Sequence, residues 1–231
     1  MEKTRIDLQI WFWALYLASK DKRGISATML GNELDISYKS SWFLLHRIRK
    51  AMADRDSGYN LDGVVELDDA YFGSADKGGK RGRGTDKAKV VVGLSLTSEG
   101  RPQHLKMVLV EDLKKETIAK FAQNNIKAGS TISSDAYRSY QQLINEGYKL
   151  EAKVFNPKEN PEHLKWLHTI VSNAKAFING TFHGLNKKHL QQYLDEFCFR
   201  FNRRWFYGEL FNRIVNACMN SRRLTYSELT V

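Results

Sequence analysis

Three apolar runs follow one another with no helical segment between them: VVELDDAYFG (64–73), AKVVVGLSLTSEG (88–100) and HLKMVLVED (104–112). Their content of β-branched residues and their turn-rich flanks mark them as strands, and Gly100-Arg101-Pro102 supplies the turn dividing the second from the third. The spacing then changes. LKKETIAKFAQNN (113–125) reads as a helix, STISSDAY (130–137) as a short strand entering the helix RSYQQLINEG, and YKLEAKVF (148–155) as a fifth strand. The order β-β-β-α-β-α-β-α prescribes a mixed sheet covered by helices, and excludes both an all-helical bundle and an all-β sandwich for this region.

That element order is the one used by the RNase H-like fold. The expected class is therefore α/β, an RNase H-like mixed five-stranded sheet flanked by helices. Before it, residues 6–19 carry apolar side chains at helical spacing, and Gly24 ends the pattern. ISATMLGNELD (25–35) suits a short helix capped by Ser26, and ISYKSSWFLLHRIRKAMA a longer one capped by Ser37. Three helices with the last two tightly joined outline a helix-turn-helix module. In the third, Trp42, Leu45 and Ile48 form the expected buried stripe, leaving Tyr38, Lys39, Arg47, Arg49 and Lys50 for solvent or phosphate. An ordinary helical bundle with a solvated basic face fits the same pattern equally well. The polar, turn-rich stretch DRDSGYNLDG (54–63) divides the chain into residues 1–56 and 62–231. The second part ends in three helical segments, PEHLKWLHTIVSNAKAFING, LNKKHLQQYLDEFCFRFNRRWFYG and ELFNRIVNACMNSRRL.

Thirty-six Lys and Arg against 26 Asp and Glu give a net charge of +10, which favours a polyanionic partner. The positive charge is clustered. KGGKRGRGTDK (77–87) cannot bury apolar surface, and its glycines let the backbone follow a phosphate path, so Lys80, Arg81 and Arg83 are expected on nucleic acid. No apolar run is long enough for a membrane span, and the apolar stretch 6–18 lacks a cleavage site, so neither a membrane segment nor a signal peptide is expected. Cys198 and Cys218 form no CxxC pair, which points away from disulfides and zinc and towards a reducing cytoplasm.

Charge inside a strand is costly unless it is paired or binds metal. Period-2 alternation puts Glu66, Asp68 and Ala70 on one face of the first strand, and Asp135 is a second acid at a strand end. Two such carboxylates from adjacent strand ends suit a divalent cation, which prefers several oxygen ligands. In the helix containing HTIVSNAK (168–175), about 100° per residue places Leu164, Leu167, Val171, Ala174 and Ile178 in one core arc. His168 and Lys175 then fall within roughly 20° of each other beside that arc, and Asn173 falls roughly 140° or more away. His168 and Lys175 thus share a face two turns apart, the arrangement needed for a metal ligand followed by a cation aimed at a phosphate.

The chain resembles the insertion-sequence transposases of the DDE superfamily, in the group that joins a zinc ribbon, a helix-turn-helix and an RNase H-like domain with a DD(N/E/H)K signature. The resemblance lies in GISATMLGNELDISYKSSWFLLHRIRKAM, VVELDDAYFG, GGKRGRG, SSDAYRSY and HTIVSNAKAFINGTFHGLNKKHLQQYLDEFCFRFNRR. It implies Asp68 and Asp135 as the two aspartates, His168 as the third ligand and Lys175 as the signature lysine. Asn173 is the alternative third residue, because the family also uses Asn. It implies DNA cleavage and strand transfer at element ends with two Mg2+ or Mn2+ ions; an imidazole ligand favours Mn2+. It also implies double-stranded DNA as partner and a homo-oligomer on that DNA. The zinc ribbon has no counterpart here. A catalytically silent DNA-binding regulator and a structure-selective nuclease of the same fold remain alternative readings of these residues.

Overall fold

A computed structural model describes residues 4–73, 86–154, 156, 158–160, 162–183 and 185–230. Helix α1 (Leu8–Lys20) starts where the Asp7 carboxylate accepts from the Gln9 amide. Helices α2 (Ala27–Leu34) and α3 (Tyr38–Asp56) start at Ser26 and Ser37, whose hydroxyls accept from the Met29 and Ser40 amides. Each serine satisfies one of the orphan amides that every helix start leaves, as the sequence predicts. Asp35 ends α2 in a left-handed conformation, φ 49°, which turns the chain tightly into α3.

The strands are β1 (Val64–Phe72), β2 (Ala88–Leu96), β3 (Pro102–Val110), β4 (Thr131–Ser134) and β5 (Lys149–Ala152). Their order in the sheet is β3-β2-β1-β4-β5. β1, β2 and β3 pair antiparallel, and β4 and β5 join β1 in parallel, giving the mixed sheet expected of the RNase H-like class. Helix α4 (Lys115–Asn125) makes the crossover from β3 to β4. The expected helix over 138–147 is shorter: a 3-10 turn at Arg138–Gln141 leads into the single-turn helix α5 (Gln142–Asn145).

Val65 and Leu67 of β1, Val91 of β2 and Ile132 of β4 share a core with Ile118, Phe121 and Ala122 of α4 and Leu143 of α5. Gly93 lies opposite Leu67 in β2. A Cβ there would stand 2.8 Å from Leu61 Cδ1 and 3.3 Å from the Phe121 ring, so the glycine lets α4 close onto the sheet. At the outer edge the Gln191 side-chain amide donates to the Met107 carbonyl (3.0 Å) and accepts from the Leu109 amide (2.7 Å). A side chain thereby occupies part of the open ladder of β3.

The remaining helices are α6 (Lys165–Thr181), α7 (Leu190–Phe201), α8 (Leu210–Asn220) and α9 (Tyr226–Thr230). The continuous helix expected over 185–208 is interrupted after α7, where Phe206 takes non-helical angles within the 3-10 segment Arg204–Glu209. None of the described helices is long and apolar enough to cross a membrane.

Packing divides the chain differently from sequence order. Residues 1–58, 176–185 and 195–231 form one compact unit, and residues 59–175 and 186–194 the other. The sequence division, which assigns all of 62–231 to one domain, does not describe this packing. The apolar faces of the last helices are used in the first unit, where Phe199, Leu210, Ile214 and Ala217 share a core with Trp11, Leu15, Leu30, Leu44, Ile48 and Met52. That unit also buries ion pairs. Glu196 accepts from Arg49 (2.8 Å) and Arg200 (2.7 Å), and Arg203 donates to Asp56 (2.6 Å). Arg200 also reaches the carbonyls of Ala18 and Asp21 at the end of α1.

Arg49 therefore corrects the sequence expectation. It is 2% exposed and held by Glu196, not free for phosphate, because it lies on the α3 face turned towards α7's Glu196. Trp42 is half-buried and stacks on the buried His46 ring at 4.3 Å, so the stripe is centred on Leu44, Leu45 and Ile48.

Candidate active site

On the face of β1 opposite α4's core, successive alternate residues meet α6. Glu66 is 6% exposed, and its Oε2 accepts from the Leu167 amide at 3.0 Å. Asp68 Oδ2 lies 3.3 Å from His168 Nε2. Phe72 lies beneath the Lys175 ammonium, 5.8 Å from the ring centre. The helix thus runs alongside β1 in the same sense, and the two-turn spacing of His168 and Lys175 matches positions 68 and 72 of the strand.

Asp135 enters by register. Leu67 pairs with Ser134, the last residue of β4, across the parallel ladder, so Asp68 and Asp135 each directly follow that pair. Asp68 Oδ1 accepts from the Asp69 amide (2.8 Å) and Asp135 Oδ1 from the Tyr137 amide (3.2 Å). These backbone bonds help to orient both carboxylates. His163 Nε2 lies 3.1 Å from the Ser134 carbonyl, next to Asp135.

The start of α6 is what fixes His168. Leu164, just before the helix, is buried in a left-handed conformation with φ 53°, a strained state for a branched side chain. Two turns of constraint follow: the Glu66 carboxylate takes the Leu167 amide, and the apolar face of α6 through Leu167, Ile170, Val171 and Ala174 is buried. A buried carboxylate at a helix N-terminus also meets the positive end of the helix dipole.

The electrostatics follow from these contacts. Hydrogen bonding to Asp68 raises the His168 pKa, against the opposing effect of burial and with help from the Asp68 and Glu66 charges. Burial pushes the Glu66 carboxyl up. Burial lowers the Lys175 pKa, and the neighbouring Lys87 charge adds to the fall. His168 retains a 48% exposed side chain, so the site opens to solvent on the imidazole side.

The donor set, two carboxylates on adjacent strand ends with an imidazole beside one of them, is chemically suited to a divalent cation. Among the described residues, no three His, Cys, Asp or Glu side chains already converge as a metal cluster. Asn173 is exposed, on the side of α6 away from this face. Lys80, Arg81 and Arg83 lie outside the described residues.

Residues 60–202 match the ISXO2-like transposase domain. The chain belongs to the ISXO2-like transposase family. The matched span takes in Asp68, Asp135, His168 and Lys175. No relative is found among curated proteins. Among solved structures, the chain is similar to the Mos1 strand transfer complex at 12% identity and TM-score 0.37, covering 97% of this chain and 81% of that one. The Mos1 mariner paired end complex with Mn aligns at 12% identity and TM-score 0.36, over 95% and 80%. A simian T-cell lymphotropic virus intasome in complex with PP2A regulatory subunit B56 gamma aligns at 12% and 0.38, over 78% and 66%.

Two neighbours of the candidate site in this ISXO2-like chain escape a sequence reading. Glu66 shares the face of Asp68 by alternation, but its role at the start of α6 depends on where that helix begins. His163 lies outside α6, before the break at Leu164, so helical phase cannot relate it to His168. Its closeness to Asp135 arises from the chain's path alone.

Proposed function

We propose that this ISXO2-like transposase cleaves DNA at insertion-sequence ends and joins those ends to target DNA in a divalent-metal-dependent reaction. The observation that supports it is that Asp68 and Asp135 directly follow the paired residues Leu67 and Ser134 of two parallel strands while His168 bonds to Asp68, within the matched transposase domain.

Asp68, Asp135 and His168 would hold the two Mg2+ or Mn2+ ions. When bound, such a pair supplies Lewis acidity to the attacking and leaving oxygens of an in-line displacement. Lys175 neutralises charge on the scissile phosphate from its half-buried position beside Phe72. As a ligand His168 would be the neutral imidazole, and Glu66 holds the helix that carries it. In cleavage, a water oxygen forms the new P–O bond, the bond to the 3′ oxygen breaks, and that oxygen leaves as a 3′-hydroxyl after gaining a proton. In joining, the oxygen of this 3′-hydroxyl forms a bond to a target phosphorus as it loses its proton, the target strand's own bond from that phosphorus to its 3′ oxygen breaks, and the departing oxygen gains a proton. Double-stranded DNA is thus both substrate and partner. A homo-oligomer holds two element ends together, and the reaction belongs to a bacterial-type cytosol where the DNA lies.

The experiment uses labelled duplexes carrying the sequences that flank the coding region, with Mn2+, Mg2+ or chelator. Metal-dependent nicking and joining by the unaltered protein, both lost in Asp68→Ala, is the expected result. Cleavage without joining would assign a nuclease instead, and DNA binding with no cleavage under either metal would assign a regulator.

A further inference from the structure

In the helical unit, residues 221–226 lie along α3 and cover the face that the sequence offers to DNA. Ser221 donates to Asp54 (2.6 Å), and the Tyr226 ring packs edge-on against Phe43 and beneath the Lys39 ammonium. Lys50 is paired with Asp54. The basic face of α3 is therefore not bare. Between these anchors lies a cavity of about 270 Å3, lined by Trp11, Arg47, Ala51, Ser221, Arg222 and Arg223 among others.

We propose that this cavity is a binding site for a phosphate group, taken by guanidinium groups from α3 and from the segment after α8. Three arginines line it and no carboxylate does. Arg47 is prepared for such a ligand: its guanidinium lies 5.2 Å from the Phe43 ring centre and 5.5 Å from that of Trp11, so two rings restrict it before anything binds. It is half-buried and close enough to Arg223 for the two charges to repel, a cost that a bound anion would reverse. Guanidinium forks match phosphate oxygens in geometry as well as charge. Neither nearby acid lines the cavity: Asp54 bonds to Lys50, Ser221 and the Arg222 backbone amide, and Glu228 bonds to the Thr225 amide and hydroxyl while its charge also reaches Arg223.

Resting on the DNA reading above, the phosphate would be one of the duplex backbone. The helical unit then grips DNA through a composite of α3 and the 222–223 arginines, not through α3 alone. Backbone phosphate carries no sequence information, so this contact positions the duplex without reading its bases.

The test is fluorescence anisotropy of a labelled duplex with the full chain across a salt series, alongside titration with inorganic phosphate. Arg222 and Arg223 are exposed, so the double variant Arg222→Gln/Arg223→Gln is expected to keep its fold, which circular dichroism checks. The expected result is an affinity weaker by about tenfold or more and a salt slope smaller by about one per arginine. Arg47→Lys, which keeps charge and loses the fork, should also weaken binding. An unchanged affinity and slope in the double variant overturns the proposal for DNA. If inorganic phosphate binding is lost while duplex binding is unaltered, the cavity serves a free phosphate and the DNA contact is overturned. Failure here is separable from failure of the catalytic reading: affinity and salt slope are read in chelator, where no strand is cut, whereas Asp68→Ala is scored by its loss of metal-dependent cleavage.

Discussion

On the proposed reading, His168 would have two competing partners, a proton and a metal ion, with the Asp68 carboxylate beside it. Its pKa is raised chiefly by the hydrogen bond to Asp68. A raised histidine pKa means that the pair's contribution to stability is complete below the ordinary value of 6.5 and disappears as pH rises through the folded-state value. In chelator, the stability difference between the unaltered protein and His168→Ala should therefore shrink as pH is taken from about 6 to about 9. Denaturant titrations at each pH check this, and a difference that grows with pH would show that the bond to Asp68 is not what His168 contributes. If His168 is a ligand, metal should show the opposite trend, since an imidazole ligand must be neutral. Asn173→Ala is the matched control: exposed and off this face, it should leave metal-dependent cleavage within about twofold, while His168→Ala reduces it by orders of magnitude. Helical phase separates these two residues from sequence alone, because the phase of a buried amphipathic helix is fixed by its own apolar residues. The same reasoning misplaces Arg49, whose partner Glu196 lies 147 positions away.

Elements, in contrast, read well wherever their cause is local. Ser26 and Ser37 cap the helices predicted to start there, and the run from β1 to β5 has the predicted order, because caps and strand periodicity are written in a few adjacent residues. The broken helix at Phe206 and the 3-10 turn at Arg138–Gln141 do not read, since tertiary packing decides them. The start of α6 belongs to this second kind. It depends on Glu66, about a hundred residues earlier in sequence, accepting from Leu167. Glu66→Ala should leave that buried amide unpaired, at a cost of about 1–3 kcal/mol, and loosen the turn that carries His168. Glu66→Gln keeps an acceptor of the same length and should recover most of the loss. The decisive readout is the metal concentration for half-maximal cleavage: it should rise in Glu66→Ala and return towards the unaltered value in Glu66→Gln. Equal behaviour of the two variants would reduce Glu66 to a general packing residue.

At the scale of the molecule, the first helices and the last ones are one folding unit, which changes what a truncation can mean. Sequence order invites removal of residues 1–56 as a separable DNA-binding module. The structure shows that Phe199, Leu210, Ile214 and Ala217 use Trp11, Leu15, Leu44 and Met52 as the other half of their core. Each large apolar side chain so exposed forfeits about 1.5–3 kcal/mol of burial. The charged network fares no better. Glu196 would lose Arg49, and Arg203 would lose Asp56, leaving a buried cation without its carboxylate. A fragment of residues 59–231 should therefore associate or bind a hydrophobic dye strongly, even though it retains the whole β-sheet and the Asp68, Asp135 and His168 constellation. Size-exclusion chromatography with dye fluorescence decides the matter. A monomeric, dye-silent fragment would mean that the last helices hold their fold without the first. The sequence conceals this arrangement for a physical reason: amphipathic spacing in α8 declares that one face is buried, while the identity of the covering helix is settled only when the chain returns from the sheet.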